Sequence, residues 1–252
     1  MAGKQKSRPP RRIPITRCPI SSSTYPGSRP RFSFLFTSNG IYRVKLNTLE
    51  KFLQTRGLPS LADRYAVVAY GSNACPQQLL NKRLTDVPVI CGRLVGAEAV
   101  YAARRTQKGK GYVRATLARE PGRRASWVTL LTRKQLAVMD DSEGRDHNTY
   151  ALAELPVVKF LVGRRQFVPL YTYVNVFRGV MIRNGNPVSL RSTSQKRARQ
   201  LLATATEGQP EAVAEWTPQA IPRIQPSISA TFLSPSVKLG LKNRSRPPST
   251  SL

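Results

Sequence analysis

An apolar run that ends in small polar residues constrains this chain more than any other stretch. Residues Val67–Tyr70 have the length and composition of a buried strand, and Gly71–Asn73 follow directly. Pro76 stands where a helix begins, because its missing N–H costs nothing in a first helical turn. Such a junction exposes backbone N–H groups that suit a carboxylate or an oxyanion. Gly, Ser and Asn are also ordinary turn formers, so a second feature is needed to predict a site.

The charge of the chain is its most unusual bulk property. Its 252 residues carry 41 Lys and Arg against 13 Asp and Glu, a formal net charge of +28. Such a field attracts nucleic acids and other anionic surfaces without sequence preference. No basic and aromatic residues interleave as they do in nucleic-acid modules, so a merely solvated surface is an equal alternative.

Cysteine and histidine usage limits the chemistry. Cys18, Cys75 and Cys91 form an odd, scattered trio, which argues against a disulfide framework and a zinc site and fits a reducing compartment. His147 is the single histidine, so a metal site built on several histidines is excluded. No metal and no cofactor are expected. No apolar run approaches the roughly 18 residues that span a membrane, so we expect no membrane contact and a cytoplasmic location.

Composition divides the chain into three parts. Residues 1–29 lack acids and are rich in Arg, Pro and Ser, which predicts a disordered basic tail. The same composition is typical of organelle transit peptides, so an organelle is the alternative location. A single folded domain is expected over residues 30–206. Residues 207–252, rich in Pro and Ser without periodicity, are expected to form another disordered tail.

Turn signals between β-prone runs predict a domain dominated by strands. Ser38-Asn39-Gly40 is expected to join two of these runs as a hairpin, and Pro121-Gly122 another two. Longer strands are expected over 148–160 and 167–176, and a basic terminal helix over 193–206. Many strands with few helices predict an α+β fold with a mixed, strongly curved or barrel-like sheet and a few short helices.

Two helix starts carry the spacing of a capping box, in which an N-cap side chain pairs with a residue three positions later. Asn47 with Glu50 is the first, and Thr132 with Gln135 is the second. The second predicts a short helix that ends near Asp141.

Acidic residues collect just after this second helix, at positions 140, 141, 143 and 146. Carboxylates at a helix C-terminus oppose the helix dipole. Their placement is therefore locally unfavourable, which suggests that they serve a function.

The opening turn and the acidic cluster together resemble the γ-glutamylcyclotransferase-like superfamily. The motif Tyr70-Gly71-Ser72-Asn73 is followed by Met139-Asp140-Asp141-Ser142-Glu143-Gly144 and then by Tyr150. Between them, Arg114–Leu117 and Ser126–Val128 resemble the central strands of that family. The resemblance covers roughly residues 65–177 and is nearest to uncharacterised bacterial members.

Two features depart from the family pattern. Ala74 stands where the family has Leu, and the predicted hairpin and helix of residues 32–57 precede the point where its small members begin. Both departures concern the substrate more than the fold.

The resemblance implies an enzyme of the transferase or lyase type that cyclises a γ-glutamyl amine or peptide to 5-oxoproline and releases the amine. It implies Glu143 as the catalytic base, without a cofactor. It also implies substrate contacts from Tyr70, Gly71, Ser72, Asn73, Tyr150 and Arg114. Arg114 is expected to pair with Glu143 or with a substrate carboxylate.

Two alternatives remain open. Cys75 at the predicted helix start, with His147 as base, would suggest nucleophilic acyl transfer, although a buried structural cysteine explains Cys75 more simply. A non-catalytic basic protein of the same fold that binds nucleic acid is the alternative from a different functional class. The expected partner is a small γ-glutamyl compound in the first hypothesis and a nucleic acid in the second.

Overall fold

The computed structural model describes residues 11–18, 20–21, 23–105, 111–144, 150–175, 179–202 and 206–208. It has an α+β architecture, as predicted. The helices within these residues are α1 (Leu46–Gln54), α2 (Pro76–Asn81), α3 (Arg133–Glu143) and α4 (Gln195–Leu201), with 3₁₀ turns at Leu61–Asp63 and Ser72–Ala74. The strands are β1 (Arg12–Ile13), β2 (Phe34–Thr37), β3 (Gly40–Arg43), β4 (Arg64–Val68), β5 (Val87–Arg105), β6 (Val113–Thr132), β7 (Tyr150–Glu154), β8 (Lys159–Val162), β9 (Arg165–Phe167), β10 (Tyr171–Asn175), β11 (Val180–Arg183), β12 (Asn186–Pro187) and β13 (Thr206–Gly208).

The strands form one mixed sheet whose main path runs β1-β3-β2-β5-β6-β4-β10-β7. Strands β4 and β10 pair in parallel, and the other pairs are antiparallel. Within the described residues the path does not return to its first strand, so the sheet is open rather than a closed barrel. The pair β5 and β6 lies at its centre and carries β2, β4, β8 and β11 along its edges.

The hairpin expected at Pro121-Gly122 is wrong. Both residues lie inside β6, which is one continuous strand of 20 residues. Val95 pairs with Arg123 and Ala97 pairs with Arg119, so the three residues 120–122 oppose the single Gly96 as a bulge. Gly122 has φ +106°, which a turn and a bulge equally require of glycine. Pro121-Gly122 therefore marks a real backbone irregularity, but this irregularity lies in the middle of a strand and not between two strands.

Other predicted elements have a mixed outcome. The hairpin around Asn39-Gly40 is confirmed as β2 and β3, and the capping box of Thr132 and Gln135 is present at α3. The capping box of Asn47 is wrong, because α1 begins at Leu46 and Lys45 is its N-cap without a side-chain bond. The Glu50 carboxylate instead accepts a hydrogen bond from the Leu61 N–H at 2.9 Å.

The long strands expected over 148–160 and 167–176 are each divided. The first region contains β7 and the first two residues of β8, and the second contains the last residue of β9 and all of β10, while residues 148, 149 and 176 lie outside the described residues. The expected terminal helix over 193–206 is the shorter α4, and the last residues of that range lie in β13 or outside the described residues.

The N-terminal arm, which we define as residues 23–31, lies against the domain. Strand β1 pairs with β3 just before it, and Tyr25 stacks on Tyr112 with ring centroids 4.5 Å apart. Arg29 donates to the Tyr70 carbonyl at 2.9 Å. Part of the segment expected as a disordered tail is therefore ordered by single aromatic and guanidinium contacts, which leave no periodic pattern in the sequence. Residues 1–10 and 209–252 of the expected tails lie outside the described residues.

Two main clusters of buried apolar side chains fill the space around the central strands. Leu49 and Leu53 bring α1 onto the first cluster, whereas Leu79, Leu136 and Met139 bring α2 and α3 onto the second. Helices α2 and α3 thus share one cluster, which places their ends close together. Among the described residues no helix is long and apolar enough to cross a membrane.

Candidate functional site

Helix α3 places Glu143 at its last position. Thr132 and Gln135 fix the start of the helix through reciprocal bonds, and buried Leu136 and Met139 hold it on the sheet. Gly144 ends it in the left-handed conformation, at φ +67°. Glu143 is therefore a helical residue and not a loop residue, so its backbone position is well defined.

The predicted junction is present between β4 and α2. Strand β4 ends at Val68, buried Ala69 and Tyr70 follow it, and the chain then makes a 3₁₀ turn at Ser72–Ala74 before Pro76 opens α2. In a 3₁₀ turn each N–H bonds to the carbonyl three residues earlier, and for Ser72 and Asn73 that residue lies before the turn, so their N–H groups have no acceptor inside it. These N–H groups are available to a ligand that reaches the turn.

The two motifs, 70 residues apart in the chain, meet directly. Asn73 Nδ2 donates a hydrogen bond to Glu143 Oε1 at 3.0 Å. Lys82 Nζ lies 2.5 Å from the same Glu143 oxygen and 2.8 Å from Asn73 Oδ1. The side chains of Lys82 and Glu143 are only 13 and 16% exposed. The three residues form a partly buried cluster in which one carboxylate accepts two donors.

Lys82 decides the ionisation of Glu143. Burial by itself would raise the pKa of Glu143, but the Lys82 charge, hydrogen bonds from Lys82 and Asn73, and the Arg114 charge together outweigh burial. The pKa of Glu143 is therefore lowered. At neutral pH the side chain is a carboxylate, which is the form that can accept a proton.

Two buried tyrosines, Tyr70 and Tyr150, lie beside Asn73 and Glu143. Burial, followed by the nearby Tyr150 and Glu143, raises the pKa of Tyr70 well above its usual range, and burial similarly raises the pKa of Tyr150. Both phenols stay protonated. Tyr70 donates its hydroxyl proton to the Tyr173 carbonyl, and Tyr150 donates to the Ala115 carbonyl at 2.8 Å. Each ring lies at the site, but its hydroxyl proton is already donated to a backbone carbonyl of the protein.

Arg114 does not form the ion pair with Glu143 that was one of its two expected contacts. Its guanidinium carbon lies 5.9 Å from the centre of the Tyr150 ring, and Lys82 takes the position beside the carboxylate. Arg114 extends from β6, next to Ala115, and is not among the residues that line the cavity beside Glu143. The other expected contact, to a substrate carboxylate, stays a prediction.

The cysteine alternative loses its physical basis. Cys75 is fully buried, and this burial raises the pKa of its thiol. A buried, protonated thiol is a poor nucleophile. His147, the base proposed for it, lies outside the described residues.

A small cavity of about 40 Å³ lies between these groups. It is lined by both motifs and by the arm, through Tyr25, Val68, Tyr70, Gly71, Ser72, Asn73, Ala115, Glu143, Tyr150 and Tyr173. A space of this size holds one to a few water molecules, whereas ligand pockets usually measure about 300–1,000 Å³.

The arm residue Tyr25 restricts this cavity. Its hydroxyl accepts a hydrogen bond from the Ala115 N–H at 3.0 Å. A Cβ atom on Gly71 would lie 3.1 Å from that hydroxyl, a tight contact that would push the Tyr25 side chain back by a few tenths of an ångström. The Tyr25 hydroxyl thus occupies space at the turn that a bound ligand would need.

Neither the family models nor the curated proteins contain a match to this chain. Solved structures with similarity to it have low identity. One is described as a γ-glutamyl cyclotransferase, with 18% identity and a TM-score of 0.38, over 45% of this chain and 67% of the other. An uncharacterised protein from Homo sapiens has 16% identity and a TM-score of 0.38, over 61% and 97%. YkqA from Bacillus subtilis has 15% identity and a TM-score of 0.36, over 69% and 70%.

Sequence reasoning did not identify Lys82 and Tyr25. Lys82 is the C-cap of the six-residue helix α2. Because this helix is short, the residue at its end still lies close to the turn at its start. The nine-residue spacing of Asn73 and Lys82 across one predicted helix could therefore have indicated Lys82. Tyr25 carries no such signal, because it lies in a segment without periodicity and its contacts depend on the folded domain.

The ion pair of Lys82 and Glu143 predicts a pH-dependent stability. The unfolded chain protonates Glu143 near pH 4.3, and the folded chain protonates it at a lower pH. The pair therefore stabilises the fold fully above about pH 4.3 and loses this contribution as the pH falls through the folded pKa. We expect Glu143→Gln to cost about 1–3 kcal/mol at pH 7, and the difference from wild type to shrink at low pH.

Urea denaturation of both proteins between neutral and acidic pH measures this difference. Glu154→Gln, which removes an exposed carboxylate on β7, is the matched control and should follow wild type throughout. A difference between wild type and Glu143→Gln that is the same at every pH would contradict the assignment of the ion pair.

Proposed function

We propose that this protein is a γ-glutamyl cyclotransferase-type enzyme, which converts a γ-glutamyl amine or peptide to 5-oxoproline and releases the amine. The observation that carries the proposal is the hydrogen bond between Asn73 and Glu143. It joins the two motifs whose order in the sequence resembles that superfamily, and it places a carboxylate and the N–H groups of the turn at one cavity.

The reaction needs a base and a charge-stabilising group in one place. In the proposed mechanism, Glu143 takes a proton from the α-ammonium of the substrate, and the free amine attacks the γ-carbonyl carbon. A new carbon–nitrogen bond closes the five-membered ring, and the bond from that carbon to the leaving nitrogen breaks. The attacking nitrogen gives up two protons and the leaving nitrogen gains two, one of them through Glu143, so the reaction is balanced.

The turn supplies the stabilisation of charge. The backbone N–H groups of Gly71, Ser72 and Asn73 are proposed to bind the oxyanion that develops on the γ-carbonyl, or the substrate carboxylate. Tyr70 and Tyr150 are proposed to shape the pocket, and Arg114, near the Tyr150 ring, to attract the substrate carboxylate. Because the attack is intramolecular, correct placement of the two reacting groups supplies much of the rate.

The Lys82 ammonium group lies where the substrate amine is expected to bind. Its ammonium group lies 2.5 Å from Glu143 Oε1, which is the contact that a substrate α-ammonium would make. Binding of the substrate is therefore expected to displace Lys82 from this oxygen. The substrate ammonium then supplies the positive charge that Lys82 supplied, so Glu143 stays a carboxylate until it takes the proton.

A 5-oxoproline assay tests the proposal. The full chain is incubated with γ-glutamyl amino acids, γ-glutamyl amines and glutathione, and 5-oxoproline is measured by mass spectrometry. We expect release from at least one compound and none from the matching α-glutamyl isomers, which are the control because their amine cannot close the same ring. No turnover with any of them would remove the proposed function.

A further inference from the structure

A second and much larger cavity lies on the other side of Tyr70. It is a groove of about 750 Å³, and Tyr70 is the single residue that it shares with the Glu143 cavity. Six arginines line it, and we call it the arginine groove: Arg29, Arg31, Arg93, Arg123, Arg124 and Arg191. Such a concentration of one charge in a concave surface focuses the electrostatic field.

The groove has too little negative charge to neutralise these arginines. Its one carboxylate, Glu98, is buried and already occupied. Arg124 Nε donates to one oxygen of Glu98 at 3.0 Å, and the Ser189 hydroxyl donates to the other at 2.6 Å. No other groove arginine forms an ion pair within the described part of the chain.

Arg29 differs from the remaining arginines. Its guanidinium lies 4.6 Å from the centre of the Trp127 ring and donates to the Tyr70 carbonyl, so it fixes the arm in place. Arg31, Arg93 and Arg123 are exposed, as is Arg191. The guanidinium groups of these four have no ion-pair or hydrogen-bond partner among the described residues.

The arginines are spread along the groove rather than gathered at one point. Arg31 lies near Cys91 of β5. The carbonyl of the preceding Pro30 accepts a hydrogen bond from the Trp127 side chain, and Trp127 pairs with Cys91 in the sheet. Arg191 follows Leu190, whose N–H donates to the Ala99 carbonyl. Cys91 and Ala99 are eight residues apart on β5, which corresponds to at most about 26 Å along the strand. One compact anion cannot contact both ends, but an extended polyanion can.

The β6 bulge places two of the arginines at the middle of this length. Arg123 and Arg124 follow the bulge at residues 120–122 directly and pair with Val95 and Leu94 on β5. Bulges turn a strand and redirect the side chains beside them. Arg93 is two residues from Val95 on the facing strand, so the middle of the groove is charged from both strands.

The dimensions favour a single strand over a duplex. A groove of about 750 Å³ that follows up to about 26 Å of strand is long and narrow. It admits one extended backbone, whereas a duplex is wider than its own major groove of about 12 Å. Guanidinium groups match the geometry of phosphate oxygens, and the net charge of +28 adds a long-range attraction to a polyphosphate.

We propose that the arginine groove binds single-stranded nucleic acid through its phosphates, without sequence preference. The strand lies along β5 and β6, from Arg31 at one end to Arg191 at the other. This binding site is separate from the Glu143 cavity and does not depend on the proposed enzymatic function.

Fluorescence anisotropy with a labelled oligothymidylate of about 20 nucleotides tests the proposal on the full chain. Each phosphate neutralised on a single strand contributes about −0.7 to the slope of log K against log salt concentration. The triple variant R93Q/R123Q/R191Q should therefore lower the magnitude of this slope by about 2 and weaken binding at least about tenfold.

A second triple variant controls for net charge. K51Q/K134Q/R164Q removes the same three charges from exposed positions outside the groove and should bind close to wild type. Equal losses in the two variants would overturn the proposal, because binding would then be diffuse over the surface. Tighter binding of a duplex of equal length, or equal competition by polyglutamate, would also overturn it. All substituted residues are exposed, and thermal denaturation verifies that each variant folds.

Discussion

Replacement of Glu143 by Gln is expected to lower kcat/KM for 5-oxoproline formation by about 10²- to 10⁴-fold, the usual contribution of a positioned general base. Gln keeps the size of the side chain and can accept the Asn73 hydrogen bond, but it cannot take a proton from the substrate ammonium. The loss should appear in kcat, because the proton is transferred in the chemical step. Initial rates of 5-oxoproline release over a range of substrate concentrations measure it.

Asp141→Asn is the matched control for this experiment. Asp141 lies two residues earlier on α3 and is exposed, so its replacement removes the same charge from the same helix without touching the cavity. It should retain activity close to that of wild type. Equal activities of Glu143→Gln and wild type would contradict the role of Glu143, provided that circular dichroism shows both to be folded.

The pH profile separates catalysis from structure. Since Lys82 lowers the pKa of Glu143, Lys82→Met should raise that pKa and move the acid limb of the rate profile to higher pH. Loss of a merely structural ion pair would lower stability without moving this limb. The direction of the shift therefore tests whether the titration of Glu143 controls the rate.

Local chemistry predicted the walls of the candidate site. The junction after β4 follows from an apolar strand, small turn residues and Pro76, all of which act within ten residues of one another. The start of α3 follows in the same way from Thr132 and Gln135. These two elements are enough to place the turn and the carboxylate, because both belong to the packing of α2 and α3 on one apolar cluster.

The side chains that surround Glu143 and the turn could not be predicted from local sequence. The positions of the site side chains depend on contacts between residues 35 to 103 positions apart in the chain. These contacts are the hydrogen bonds of Lys82, Tyr25, Tyr70 and Tyr150. Contacts of this kind depend on strand register, and the register was misjudged where the Pro121 signal was taken for a turn. A hairpin there would have divided β6 and moved Arg123 and Arg124 away from Arg93, so the arginine groove was also beyond prediction.

Replacement of Tyr25 by Ala is expected to lower KM for the γ-glutamyl substrate by about 5- to 150-fold. Tyr25 contributes one aromatic stack with Tyr112, worth about 0.5–1.5 kcal/mol, and one hydrogen bond from Ala115, worth about as much. A substrate that needs this space must first displace these contacts, so its apparent affinity is the intrinsic affinity multiplied by the small fraction of molecules in which Tyr25 is released. Removal of the side chain removes that competition while leaving Glu143 and the turn in place.

Ser28→Ala provides the control on the same arm. Ser28 is exposed, and its backbone N–H, which bonds to Cys18, is kept in the variant. It should leave KM unchanged. Because Tyr25 does not touch the reacting groups of the proposed mechanism, its replacement should change KM and leave kcat almost constant. An unchanged KM would mean that the substrate enters without displacing the arm, and a fall in kcat would instead give Tyr25 a direct part in the reaction.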